Sequence, residues 1–271
     1  MKRSVYFIFI LLSMMALSTT ASAQCKLKNT AFKSGEFLSY NLYYNWKMVY
    51  VKAGTASYST IQTVRNGKQA YRANLTTSSN KRADEMFVLR DTVQSYSSLD
   101  LEPLYYRKGS REGSHYTVDE VFYSYADGKT NLRHHRQHNN GTHTWQNKSS
   151  NDCVYDMLNI LLRARSFDFS KWTAGKEMII PIATGKALIS GKIKYRGKTS
   201  VKVDNGKKYN CLSLSYIEQK DGKYKETVRF YVTDDSNHIP VRIDFFLKFG
   251  TARALLTNMK GMKSEVTSIA K

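Results

Sequence analysis

The stretch GEFLSYNLYYNWKMVYVKAG, residues 35–54, sets Leu38, Tyr40, Leu42, Tyr44, Trp46, Met48 and Tyr50 on every second position, with Ser39, Asn41, Asn45 and Lys47 among the residues between. Alternation at period two marks a strand with one buried face. The run is longer than the three to ten residues of an ordinary strand, so it has to bend or break into two. Long bent strands are how a sheet rolls up, which favours curvature over a flat sandwich.

Outward from this stretch the same pattern recurs. Asn66-Gly67, Asp127-Gly128, Asn140-Gly141, Asn205-Gly206 and Asp221-Gly222 are hairpin signals, because these pairs accept the positive φ angles of tight turns. Period-two runs flank them, among them Tyr71, Ala73, Leu75 and Val228, Phe230, Val232. Pro103, Pro181 and Pro240 are the only prolines, each near a strand end where a missing N–H is tolerated.

One segment departs from period two. Val154, Met157, Leu158, Leu161 and Leu162 recur at the spacing of one helical face, which predicts a helix over 152–165 capped by Ser150 or Asn151. A lone apolar stripe has to be covered, and the concave face of a curved sheet is its natural partner. The expected fold is therefore mainly β: a strongly curved antiparallel sheet, barrel or half-barrel, with one packed helix. It forms a single β-rich domain over 24–271, or two β subdomains meeting near the helix.

The first residues set the compartment. Lys2 and Arg3, the apolar run 5–17 and Ala21-Ser22-Ala23 read as a secretory signal peptide over 1–23. No second apolar run long enough to span a bilayer follows, so the mature chain is expected to be exported, in periplasm or cell envelope, without a transmembrane segment. Cys25 offers a second route, acylation as in a bacterial lipoprotein, although Gln24 stands where such signals carry a small residue. Cys25, Cys153 and Cys211 allow one disulfide with three pairings open.

The chain carries a formal charge of +20, which loss of Lys2 and Arg3 lowers to +18. In an exported protein this excess points away from nucleic acid and towards anionic headgroups, acidic glycans or the membrane surface.

Gly35-Glu36 ahead of Leu38 and Tyr40, and Gly54 after the long strand, are followed by Pro103, Leu162-Arg163, Asp234-Asp235, Pro240, and Gly250 ahead of Leu255. In these positions the chain resembles an exported bacterial family known only as domain of unknown function 3108, over nearly all of its mature length. The resemblance implies a β-rich periplasmic or cell-surface protein and no assigned activity. In architecture alone the expected fold is similar to periplasmic lipoprotein carriers, half-barrels with a helix across the mouth.

Chemistry-bearing motifs are weak. His134, His135, His138 and His143 suggest zinc. A two-residue turn at Asn140-Gly141, however, pairs His138 with His143 and Arg136 with Trp145, and leaves His134 about 13 Å from His138 along the strand. Ser78-Ser79-Asn80-Lys81 matches the spacing of serine acyl-enzymes without their companion motifs. The carboxylates Asp119 and Glu120, or Asp234 and Asp235, are strand or turn neighbours that do not form a glycosidase pair by themselves.

No catalytic residue, metal or cofactor is therefore expected. The leading reading is a non-enzymatic envelope protein that binds a lipid-like or anionic amphiphilic ligand, with Tyr40, Tyr44, Trp46, Met157 and Leu161 lining the site between sheet and helix. The alternative is an interaction module with a filled core, working by an exposed aromatic or basic patch on an envelope protein or glycan. A glycan hydrolase stands third.

Overall fold

The computed structural model describes residues 25–220 and 222–270, and the proposed signal over 1–23 lies outside the described residues. Sixteen strands follow in chain order. β1 (Glu36–Trp46), β2 (Val49–Arg65), β3 (Lys68–Ser79), β4 (Leu89–Ser98), β5 (Pro103–Glu112), β6 (His115–Ala126), β7 (Lys129–Gln137) and β8 (His143–Ser150) form an up-and-down meander. After the helical region come β9 (Glu177–Ile179), β10 (Ile182–Ala183), β11 (Leu188–Ile189) and β12 (Gly191–Lys202). They are followed by β13 (Lys208–Lys220), β14 (Lys223–Thr233), β15 (Pro240–Phe246) and β16 (Thr251–Lys260).

Fourteen of these strands make one antiparallel sheet in the order β8-β7-β6-β5-β4-β3-β2-β1-β16-β15-β14-β13-β12-β9, while β10 and β11 pair separately. The last long strand returns to the first, so β1 and β16 join the two meanders in the middle of the sheet. The sheet is open, with β8 and β9 at its edges, and corresponds to the half-barrel and not to a closed barrel.

Curvature is visible in contacts between distant strands. Asp204, in the turn between β12 and β13, accepts hydrogen bonds from Asn41 Nδ2 (2.6 Å) and Tyr43 Oη (2.7 Å) of β1. Several strands lie between them in the sheet order, and only a rolled sheet brings them together. Register shifts at Leu42/Tyr43, Ser39/Tyr40, Tyr96/Ser97 and Tyr216/Ile217 supply bends, as bulges do.

The stretch 35–54 breaks in two. β1 and β2 form a hairpin that turns at Lys47-Met48, where Lys47 takes φ of 53°. Four of the five expected turn dipeptides sit between paired strands, and Asp221 of the fifth lies outside the described residues. At Asn66-Gly67 and Asp127-Gly128 both residues have positive φ, as a two-residue turn requires.

Asn140-Gly141 is a correction. Only Gly141 has positive φ, and the bonds Gly141 N–H to His138 O and His138 N–H to Thr142 O enclose a three-residue loop. That single added residue shifts the register so that Gln137 faces His143 and His135 faces Trp145. The expected pairs His138 with His143 and Arg136 with Trp145 are therefore not made.

A four-residue helix α1 (Lys81–Asp84) links β3 to β4, and the main helix is α2 (Met157–Arg165). α2 starts later than 152, because Asp156, not Ser150 or Asn151, is its cap: Asp156 Oδ1 accepts from the N–H of Leu158 (3.0 Å) and Asn159 (2.8 Å). Residues 153–155 are held extended instead. Cys153 is disulfide-bonded to Cys25, and Tyr155 exchanges backbone bonds with Pro181 and Ala183. Cys25 is thus held in a disulfide, and Cys211 is free and buried.

α2 fills the concave side of the sheet. Leu158 and Leu162 join the core of Leu38, Tyr40, Tyr58, Val121 and Leu256, and Ile160 and Ala164 join a second core with Tyr195, Leu214 and Tyr216. Its polar side chains are buried as well. Arg165 and Glu36 form a bidentate ion pair, both side chains 0% exposed, and Arg165 donates further to Asn237 O. Asn159 Nδ2 donates to Ser97 Oγ (2.8 Å) and, with Arg163 Nη1, to the carbonyl of Leu101.

Candidate functional site

The structure does not gather the expected lining residues. Tyr40 is core, its hydroxyl donating to Pro240 O at 2.8 Å, and Leu161 packs half-buried on the same core. Met157 is exposed at the first turn of α2. Tyr44 and Trp46 lie far along β1, where Tyr44 Oη donates to Phe249 O (2.9 Å) and the Trp46 and Phe249 rings meet at 6.4 Å.

That last contact identifies a different surface. In an antiparallel meander alternate turns fall on the same rim, so the turns β1–β2, β3–β4 and β15–β16 emerge side by side from adjoining strands. They are tied together by Tyr44 to Phe249, and by Asn80, whose Nδ2 donates to Lys52 O (2.7 Å). Gly250, with φ of 77°, brings its backbone so close to β1 that a Cβ there would stand 2.3 Å from Asn45 O.

These three tips expose Trp46, Met48, Val49, Tyr50, Met86, Phe87, Leu247 and Phe249, with Met48 99% and Met86 89% accessible. The opposite rim exposes Val64 and Leu99 at its turns. Scattered apolar side chains are ordinary on a protein surface, whereas a contiguous set on neighbouring tips marks an interaction site. Cations accompany the rings: Lys47 Nζ stands 5.0 Å from the Trp46 centroid, and Lys248 Nζ 5.4 Å from that of Phe249. Lys81 and Arg82 of α1 are exposed at the same end.

The outer face of β4–β8 carries an aromatic and basic ladder that starts near the opposite rim. Tyr96, Tyr105, Phe122 and Trp145 follow one another at centroid spacings of 6.0, 5.1 and 6.2 Å. The Arg65 guanidinium covers Tyr96 and Tyr105, and Arg133 covers Trp145 at 4.2 Å. His135 stacks on Trp145 (4.1 Å), takes Glu120 at Nδ1 (2.7 Å) and meets His143 at 2.8 Å. His134 points to the other face and bonds the carbonyl of Thr184. Among the described residues no three His, Cys, Asp or Glu side chains gather as a metal-ligand set.

Other motif residues have structural partners. Ser79 bonds Asp84 and Arg90 around α1, and Asn80 caps that helix through Ala83 N–H (2.9 Å). Asp119 pairs with Arg136 (3.1 Å), Glu120 with His135 and Tyr105, and Asp235 closes its own turn on Asn237 N–H (3.0 Å). Burial pushes the Asp156 carboxyl from 3.8 up to about 7 and the Cys211 thiol up to about 12. Both groups serve the core and face no cleft.

The rim escaped sequence reasoning because Met48 and Tyr50 continue the alternation of β1 and read as more of its buried face. The turn at Lys47-Met48 has no glycine, asparagine or proline to announce it.

A family model described as protein of unknown function (DUF3108) matches residues 39–257. No curated protein matches the chain. Among solved structures, a "Beta-barrel-like Protein of Domain of Unknown Function DUF1849" from Brucella abortus aligns with a TM-score of 0.57 and 9% identity, covering 85% of this chain and 98% of that one. That likeness concerns the fold alone. A "putative lipoprotein" from Parabacteroides distasonis aligns with a TM-score of 0.34 and 11% identity, covering 87% and 99% of the two chains.

Proposed function

The chain belongs to the DUF3108 family of unknown function, and from that premise we propose that it is a non-enzymatic, exported envelope protein that docks on an anionic membrane surface through its three-tip rim. The observation that carries this reading is the side-by-side exposure of Trp46, Met48, Tyr50, Met86, Phe87 and Phe249 with lysines set against the rings. Aromatic side chains favour the headgroup boundary, and Lys stems reach past apolar surface to keep their charge in water. The charge of +18 left after loss of Lys2 and Arg3 favours anionic lipid. The amphiphile expected inside the sheet is thereby moved to the rim, since the concave side is occupied by α2 and its ion pair.

The test is vesicle pelleting with the mature chain and a Trp46→Ser, Met48→Ser, Phe249→Ser variant. Partial burial at about 1 kcal/mol each, below the ~1.5–3 kcal/mol of full burial, gives about 3 kcal/mol, or roughly a hundredfold in partitioning. Equal pelleting of both proteins, or no binding of the parent to anionic vesicles, contradicts the proposal.

A further inference from the structure

We infer that Arg107, Arg111 and Tyr116, folded over Gly109 on the outer face of β5, form a cradle for a phosphoryl group presented at the rim. Arg107, Gly109 and Arg111 share one face of the strand at period two. The two arginine Cα atoms are about 13 Å apart along the strand, within reach of two converging side chains above the glycine.

Gly109 makes the floor. A Cβ there would stand 3.1 Å from Tyr116 Oη and 3.4 Å from Arg107 Nη1, so the hydroxyl and the guanidinium lie over the bare backbone. Thr92, paired with Gly109 across the sheet, forms one wall of a cavity of about 600 Å³.

The donors are unspent. Arg90, also at the cavity, is bound to Asp84 at 2.5 Å and to Ser79. Glu120, directly opposite Arg107 on β6, is held by Tyr105 and His135. Among the described residues no hydrogen bond or ion pair holds the side chains of Arg107, Arg111, Thr92 or Tyr116. Two planar cationic forks beside two hydroxyls carry twice the charge that a single carboxylate balances. They suit the three oxygens and near-double charge of a phosphate monoester.

The location ties the cradle to the rim. β4 begins directly after Met86 and Phe87, and Phe87 lies 3.6 Å from where a Cβ on Gly113, just past Arg111, would stand. With these tips in the interface, the Arg111 end of the cradle faces the headgroups. This lipid arm rests on the docking reading above, whereas the cradle itself does not.

The experiment uses the mature chain at fixed ionic strength in two arms. Inorganic phosphate is titrated against the soluble protein by NMR. In parallel, pelleting is compared between vesicles bearing phosphatidic acid and vesicles bearing phosphatidylglycerol at matched surface charge.

The parent is expected to bind phosphate and to prefer the monoester vesicles about tenfold. Arg107→Gln with Arg111→Gln, and separately Gly109→Val, should abolish both, and Gly109→Val, which removes no charge, should keep basal binding to phosphatidylglycerol. Phosphate binding without vesicle preference assigns the cradle to a soluble phosphate ester. The rim variant should lose both vesicle types but keep phosphate binding, so failure of docking is distinguishable from failure of the cradle. Absence of phosphate binding and of monoester preference in the parent, or either one unchanged in the arginine variant, overturns the inference.

Discussion

Replacing Asp156 by asparagine should make the protein more stable at pH 8 and leave it unchanged at pH 4. Asp156 is fully buried under α2, accepting from Ser95 Oγ (2.8 Å) and from the N–H groups of Leu158 and Asn159. Burial outweighs these bonds and raises its carboxyl from 3.8 to about 7. A raised folded value means that the native state holds the proton more tightly than the unfolded chain. Its contribution is thus complete below about pH 4 and is lost as pH rises through 7. Each tenfold in proton affinity is worth about 1.4 kcal/mol, so the cost of the ionised form reaches at most about 4 kcal/mol. Asparagine caps helices as well as aspartate does and carries no charge to bury. Urea denaturation of both proteins from pH 4 to 8 isolates the effect, because all other titrating groups cancel in the difference. A gain of about 1–4 kcal/mol appearing only towards pH 8 is expected. A difference independent of pH, or a loss at pH 8, refutes the reasoning.

Two further outcomes follow from the packing of α2. Arg165→Met should cost about 3–5 kcal/mol, because it leaves Glu36 charged and unpaired at zero exposure, and adding Glu36→Gln should recover part of that loss in the same denaturation assay. Cys153→Ser should lower stability by about 2–5 kcal/mol, since the bond to Cys25 closes a sequence separation of 128 residues, and dithiothreitol should destabilise the parent, leave the variant where it is and so abolish the difference between them.

What the sequence disclosed was whatever local chemistry decides. Asn66-Gly67 and Asp127-Gly128 required positive φ at both positions and formed the turns expected of them. Asn140-Gly141 shows the limit: the same dipeptide closes loops of two or three residues, and one residue exchanged His138 for His135 opposite the His143–Trp145 segment. The apolar spacing from Met157 to Leu162 revealed α2, while its start depended on Cys25 and Pro181, contacts far away in the chain. Glu36 and Arg165, 129 positions apart, carry no mutual signal in a single sequence, yet they join the helix to the first strand.

Tyr44 and Trp46 were expected between sheet and helix and stand instead at the rim, where Met86, Phe87 and Phe249 come from turns that only the sheet order places beside them. Gly109 between two arginines on β5 had no meaning until Tyr116 was seen folded over it.

The docking account is tested most directly by the depth of Trp46. With Trp145 and Trp172 changed to phenylalanine, Trp46 is the only fluorophore of its kind among the three tryptophans of the chain. On adding anionic vesicles its emission should move to the blue and be quenched by bromine placed high on the acyl chains. Emission that stays unshifted and unquenched while vesicles are in excess contradicts the claim that this rim meets the membrane.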